Sequence, residues 1–406
     1  MTCEIAVMNK RGVALAADSA VTVGDGEKIY HHAEKLFSLR SGAPVGILIY
    51  GSAEIMAMPW ELVIHAYAQA LGERRFDRIE QYADEFFRSI ESSTSLFPPE
   101  LQRDWFGSLV ASYWKEQFAV PLAHRMKTDA KESSGAANAV LLELLAKDSN
   151  EWESCPEGGE PGAGFAEKFL AEQHDLLSAV EHDLFGVHAS SADAKRRLRD
   201  IVRAMLSRKW IHPLDQSGIV FAGMGEAEPF PVLLDFAVGS LIGGRLRRFL
   251  RNEARVTRED SAIVAPFAQD DMVQTFYRGL LPDLDERLDH IVGHAVAREF
   301  AKHDEVLSEE QIGKLKRAFR KALESEIDGY YQRPLIQAVD ALPRRDLARI
   351  AEALVSLTAL RRRMSLGEKE TVGGAIDVAI LSRAEGFQWV KRGGRSMAEF
   401  APCFIS

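Results

Sequence analysis

Over the first fifty positions apolar residues recur with a period of two, the pattern of β-strands. The chain opens as strand, two-residue turn, strand, and the second strand ends at Asp18. A shorter alternating run, Leu36-Phe37-Ser38-Leu39, follows Lys35, and the apolar stretch 45–50 ends at Gly51-Ser52-Ala53-Glu54. From there the period changes. Segment 53–72 reads as a helix entered on Ala53-Glu54, with Pro59 tolerated near its first turns. Segment 76–92 carries Phe76, Ile79, Tyr82, Phe86, Phe87 and Ile90 on one side, and 101–125 is again helical. An acidic Gly/Pro-rich loop occupies 151–164, and a charge-rich helical stretch fills 165–208. Strand grammar returns at Gly218-Ile219-Val220-Phe221 and at 230–236. A second helical stretch covers about 281–362, and a last strand pair is read at 373–381, with Glu385-Gly386 as its turn.

The chain has 406 residues, enough for a sizeable core, and a formal net charge of −10. That balance argues against nucleic acid as the main partner. Arg245, Arg247, Arg248, Arg251 and Arg255 crowd one region and Arg361-Arg362-Arg363 another, but acidic residues intervene, so these read as solvated surface or subunit contact. No stretch approaches the roughly 20 uninterrupted apolar residues of a membrane span, and Glu4 with Asn9-Lys10-Arg11 breaks any signal-peptide pattern. A cytoplasmic location with no membrane partner is the expectation. Cys3, Cys155 and Cys403 lie far apart, without metal spacing, and Cys3 reads as core.

The chemistry begins at Thr2. If Met1 is removed, Thr2 carries both a hydroxyl and a free α-amine. Such an amine titrates at roughly 7.7–8.0, so one residue supplies nucleophile and base together. Other chemistries fit less well. Adjacent His31 and His32 point to opposite faces if they lie on a strand. Asp270-Asp271 suits the start of a helix. Gly223-x-Gly225 lacks the downstream glycine, lysine and strand-to-helix context of a phosphate loop.

Thr2, then Asp18-Ser19 with Thr22 and Gly24 sixteen residues on, Lys35 before the next strand, and Gly51 after the strand that follows form a motif set. In these residues the chain resembles the proteasome β subunits and their bacterial relatives, the threonine-type N-terminal nucleophile hydrolases. The segments 218–225, 230–236 and 373–381 are similar to the family's central hairpin and last strand pair. The resemblance implies an α+β fold, a four-layer αββα sandwich forming one domain over 1–406, with helical insertions at about 96–215 and 281–362. It implies Thr2 as nucleophile, Asp18 and Lys35 as an ion pair supporting it, and the Gly51 N–H as oxyanion donor. Thr22 and Ala53 would hold the backbone of a polypeptide substrate as an added strand. No metal or organic cofactor is required. Self-association into a ring or open spiral is implied, and an ATPase unfoldase is the partner class it admits.

The chain departs from the pattern in two places. Ala265-Pro266-Phe267-Ala268-Gln269-Asp270 has no serine where relatives carry one, and Glu368-Lys369-Glu370-Thr371-Val372 stands where relatives show Asp-x-x-Ser. Two alternatives therefore stay open beside threonine-type hydrolysis: an assembly protein with weak or no hydrolysis, and an amidase acting on a small molecule.

Overall fold

The computed structural model describes residues 3–23, 28–30, 33–39, 43–128, 134–186, 191–302, 308–365 and 372–397. Thr2, Gly24, His31, His32 and Cys403 lie outside them. The N-terminal part supplies strands β1 (Cys3–Asn9), β2 (Gly12–Asp18), β3 (Val21–Val23), β4 (Lys28–Tyr30), β5 (Leu36–Ser38), β6 (Val45–Gly51), β7 (Glu54–Ile55) and β8 (Met58–Pro59), then helices α1 (Trp60–Leu71) and α2 (Ile79–Glu91). A helical stretch follows: α3 (Pro99–Trp114), α4 (Val120–Thr128), α5 (Ser134–Ser154), α6 (Ala163–Glu172), α7 (His174–Phe185) and α8 (Ala192–Ser207). Strands β9 (Ser217–Gly223), β10 (Val232–Ile242), β11 (Arg245–Arg255) and β12 (Ala262–Ala268) come next. Helices α9 (Asp271–Arg278), α10 (Pro282–Ala301), α11 (Glu309–Ile327), α12 (Arg333–Ala341) and α13 (Arg344–Met364) precede β13 (Ile376–Ser382), β14 (Gly386–Arg392) and β15 (Arg395–Ser396).

The result is a mixed α/β chain with antiparallel sheets. One sheet runs β12-β1-β2-β13-β14-β15 and the other β11-β10-β9-β6-β5. Alternation along β1 distributes its side chains to two faces. Cys3, Ile5 and Val7 join a cluster with Leu347, Ala351, Leu354 and Val355 of α13. Ala6 and Met8 join another with Leu48, Val220 and Leu233 of the second sheet. The second sheet's other face meets α1 and α2 through Ile47, Phe221 and Val238 against Trp60, Ile64, Phe86 and Phe87. Every residue of β1 and of β2 is buried, which is why these strands carry almost no polar side chains. The helices α3–α8 share a core of their own around Phe106, Trp114, Leu141, Leu170, Leu198 and Val202.

The helix expected over 53–72 begins only at Trp60. Residues 54–59 form a small hairpin, β7 paired with β8 through Ile55↔Met58, with Met56 and Ala57 at positive φ. Pro59 has no N–H to give, so it stands at the helix N-cap instead of inside the first turns. The 76–92 segment folds as read: Ile79, Tyr82, Phe86, Phe87 and Ile90 form the buried face of α2, whereas Phe76 precedes the helix. Asp270 and Asp271 do open α9. The arginines of β11 are not a free surface. Arg255 pairs with Glu80, Glu228 and Glu253, and Arg248 with Glu160. Arg247 is buried, and its guanidinium donates to the carbonyls of Glu160, Leu206, Arg208 and Trp210. Arg362 pairs with Asp271 at 3.4 Å.

Candidate active site

The site is built where the ends of β1 and β2 meet the segment leading into β5. Asp18 closes β2, and its carboxylate accepts four bonds. Lys35 Nζ donates to Oδ1 at 2.6 Å, the Cys3 N–H to Oδ1 at 3.0 Å, the Gly373 N–H to Oδ2 at 2.9 Å and the Ala20 N–H to Oδ2 at 3.4 Å. A carboxylate so surrounded by donors is fixed in position. Only 1 % of Asp18 and 3 % of Lys35 are exposed.

Lys35 spans the two sheets. Its backbone carbonyl accepts the Ile49 N–H at 2.9 Å, which ties it to β6, while its ammonium reaches Asp18 of the other sheet. It meets a second carboxylate there: Glu4 Oε1 lies 3.3 Å from Nζ, and Glu4 is fully buried. Sequence reading did not find Glu4. The available signal was a charged residue in a strand otherwise apolar on both faces.

Gly51 ends β6 with φ +80, two residues past Ile49, opposite Ser217 of β9. A side chain there would place Cβ 3.1 Å from the Gln216 carbonyl oxygen, in a backbone region that favours glycine. The turn that follows is pinned from below. Ser217 Oγ donates to the Ser52 carbonyl at 3.1 Å and accepts the Trp60 indole N–H at 2.8 Å, while the Ser52 N–H donates to the Gln216 carbonyl at 3.2 Å. Ala53 accepts the Trp60 N–H at 3.0 Å. Ser217 is a second residue that the sequence did not single out.

Tyr50, beside Gly51, lies across Gly218, where an added Cβ would sit 2.1 Å from its ring. Its hydroxyl donates to Asp235 Oδ1 at 2.8 Å and accepts from Arg251 at 2.6 Å. Burial pushes the Tyr50 hydroxyl and the Asp235 carboxyl up from their ordinary values.

Of the residues expected at the site, Asp18 and Lys35 are in contact, Gly51 and Ala53 frame the turn at the end of the strand that Lys35 pairs beside, and Thr22 lies in β3, paired with Ile29 of β4. Thr2 is bonded to Cys3, whose N–H rests on Asp18. Burial pushes the Cys3 thiol well above its ordinary range, against a hydrogen bond with Thr358. It belongs to the core rather than to the chemistry. Among the described residues no helix is long and apolar enough to cross a membrane.

No family model matches the chain, and no curated protein matches it. Solved structures that align with it include a Gly-1 mutant of Anbu from Hyphomicrobium sp. strain MC1, 11% identical, with 98% of this chain and 90% of that chain covered at a TM-score of 0.31. Anbu from the same strain is 13% identical, with 98% and 90% covered and a TM-score of 0.30. Anbu (ancestral β-subunit) from Yersinia bercovieri is 12% identical, with 98% and 89% covered and a TM-score of 0.30. The resemblance to proteasome β subunits is corrected by these findings: the neighbours are Anbu chains, proteasome-like but distinct, and similarity this distant assigns no family.

Proposed function

We propose that this chain is an amide hydrolase in which Thr2, freed of Met1, is both nucleophile and base. The observation that carries this reading is the buried Lys35–Asp18 pair at 2.6 Å, whose carboxylate also accepts the N–H of Cys3, the residue after Thr2 in the sequence. A buried pair is weak evidence for stability; beside a Thr2 freed of Met1 it would have a chemical use. The Thr2 amine, through a water, accepts the hydroxyl proton, and Thr2 Oγ attacks an amide carbonyl. The tetrahedral oxyanion takes the Gly51 N–H; loss of one such donor typically costs about 3–4 kcal/mol. The amine proton passes to the leaving nitrogen, the C–N bond breaks, and water releases the ester. Lys35 favours the neutral, basic form of the Thr2 amine by charge repulsion.

Three wider readings accompany this one. The helix-facing clusters on each sheet, with a third cluster joining the sheets, support a four-layer αββα arrangement. We read the chain as a single domain carrying helical insertions, and as a homo-oligomer that encloses its sites and acts on polypeptides. Exposed Leu357, Leu360 and Met364 along α13 support self-association.

The decisive experiment joins mass spectrometry of the mature N-terminus to a β-lactone probe. Met1 removal and a covalent adduct on Thr2, lost in Thr2→Ala, are expected. Quantitative retention of Met1, or hydrolysis that persists in Thr2→Ala, refutes the reading. Hydrolysis of small amides with none of peptides would favour the small-molecule amidase. A stable oligomer without an adduct would favour the assembly protein.

A further inference from the structure

Two segments of fixed backbone bring three donor side chains together on the outer face of α1. Glu61 and His65 lie four residues apart on that helix, so they share a face, and both are exposed. Trp60, Val63, Ile64 and Tyr67 of the same helix are buried, which anchors it to the core. Glu34 comes from the segment before β5, and its backbone is held on both sides. The Ala33 N–H donates to the Ser19 carbonyl at 3.1 Å, and the Lys35 carbonyl accepts the Ile49 N–H at 2.9 Å. Glu34 Oε1 accepts from Arg392 at 2.7 Å. Glu34 Oε2 turns to His65, 3.8 Å from Nε2. The His65 ring stands edge-on to buried Phe37, with ring centroids 5.8 Å apart. One oxygen of Glu34, one of Glu61 and one nitrogen of His65 all lie within 4.8 Å of one another.

We infer that Glu34, Glu61 and His65 form a binding site for a divalent cation of the zinc class. The 3.8 Å separation of Glu34 from His65 is too long for a hydrogen bond. It is close to the roughly 3.4 Å between two donors that each lie about 2.1 Å from one tetrahedral ion. The exposed Glu61 and His65 side chains can turn inward to close the set. Two carboxylate oxygens at this spacing repel each other, and a cation between them turns that repulsion into attraction. Arg392 holds the other oxygen of Glu34, as an outer partner of a metal ligand commonly does. An imidazole nitrogen beside two carboxylates suits Zn2+ better than Mg2+ or Ca2+, which favour oxygen donors. Three protein donors leave a fourth position for water. The ion braces the segment that carries Lys35 against α1. No step of the proposed hydrolysis passes through it, and the inference does not depend on Thr2.

The test uses the full chain, dialysed against EDTA, with Zn2+ alone as the probe. Competition with a chromogenic zinc chelator at neutral pH gives stoichiometry and affinity, and thermal melts give the stabilisation. One tightly held zinc per chain and a raised melting temperature are expected. Glu34→Gln, Glu61→Gln and His65→Gln should each weaken binding about tenfold or more, since loss of even an outer partner of a metal ligand costs about 10–100-fold. Glu61 and His65 are exposed, so substitution there does not threaten the fold. His290→Gln combined with His294→Gln removes another histidine pair, stacked at 4.5 Å on α10, and should leave the tight zinc in place. Affinity should fall as the pH drops, because the imidazole must give up its proton to bind. Zinc held as tightly by Glu61→Gln and His65→Gln as by the wild type overturns the inference. So does loss of the tight zinc with the α10 pair, or a wild type that retains none against the chelator. Displacement of the zinc by an equal concentration of Mg2+ would overturn the zinc assignment. Binding needs no turnover, so a chain that hydrolyses nothing can still meet every expectation of this test.

Discussion

Lys35 Nζ stands 2.6 Å from Asp18 Oδ1, although the backbone of Lys35 is bonded to one sheet and Asp18 ends a strand of the other. The contact therefore fastens the two sheets at the edge where the chain begins. Removing Lys35 takes the ammonium from the buried Asp18 carboxylate, and breaking a buried pair in this way typically costs about 3–5 kcal/mol. Lys35→Ala is expected to lose stability on this scale and to abolish acylation. Asp18→Asn combined with it should cost less than the two losses added together. Denaturant titration of the single and double variants measures the coupling, and strict additivity would show that the contact contributes nothing.

Gly51→Ala tests the turn at the end of β6. The residue holds φ +80, and its new Cβ would meet the Gln216 carbonyl oxygen at 3.1 Å. A left-handed conformation costs a non-glycine residue about 1–2 kcal/mol. The expected outcome is a stability loss of that size together with a fall in kcat larger than the change in KM, because in the proposed reaction the displaced N–H serves the transition state. Equal kcat in variant and wild type would remove Gly51 from the oxyanion site.

Ser217→Ala removes the support beneath the same turn. The Trp60 indole N–H would lose its buried acceptor at 2.8 Å and the Ser52 carbonyl its donor at 3.1 Å. A buried group left without its partner costs about 1–3 kcal/mol. A lower midpoint in denaturant with an unchanged slope is expected, and an unchanged midpoint would show that the turn holds itself.

Glu80 is expected to make stability depend on pH in the acid range. Burial opposes its ionisation, but hydrogen bonds from Arg78, from its own backbone N–H and from Arg255 outweigh that and bring its pKa down from 4.5 to about 2. A depressed carboxylate contributes stability that is present above the unfolded value and lost as pH falls through the folded one. Wild-type stability should therefore decline between pH 4.5 and about 2, and Glu80→Gln should decline less over that window. Thermal melts of both proteins across the range decide it; parallel curves would exclude the contribution.

Asp235 carries the opposite sign. Burial raises its carboxyl, against the Tyr50 hydrogen bond and the Arg251 charge. Its contribution is full below the unfolded value near 3.8 and is lost as pH rises through the raised folded value. Asp235→Asn should flatten the stability curve on the alkaline side of 3.8, a change visible in the same melts.

By itself the sequence determined the local grammar that places the candidate residues. Period-two alternation and turn residues put Asp18 at the end of β2, Lys35 just before β5 and Gly51 at the end of β6, because strand periodicity and turn chemistry are properties of neighbouring residues. The start of α1 shows where that grammar is insufficient. Helix propensity carried 53–72 as one element, whereas the Ser217 and Trp60 contacts hold 51–54 out of the helix, and Ser217 comes from a strand far along the chain. Tertiary structure alone decided which charges meet. Alternation assigns Glu4 to a face of β1 but does not say that Lys35 will arrive there from the other sheet, nor that the Gly373 N–H will return to Asp18 from near the other end of the chain. The physical reason is that a buried charge takes its partner from whatever the packed sheets bring within reach. That reach is set by the burial of Ala6, Met8, Leu48 and Val220 against one another rather than by spacing along the chain.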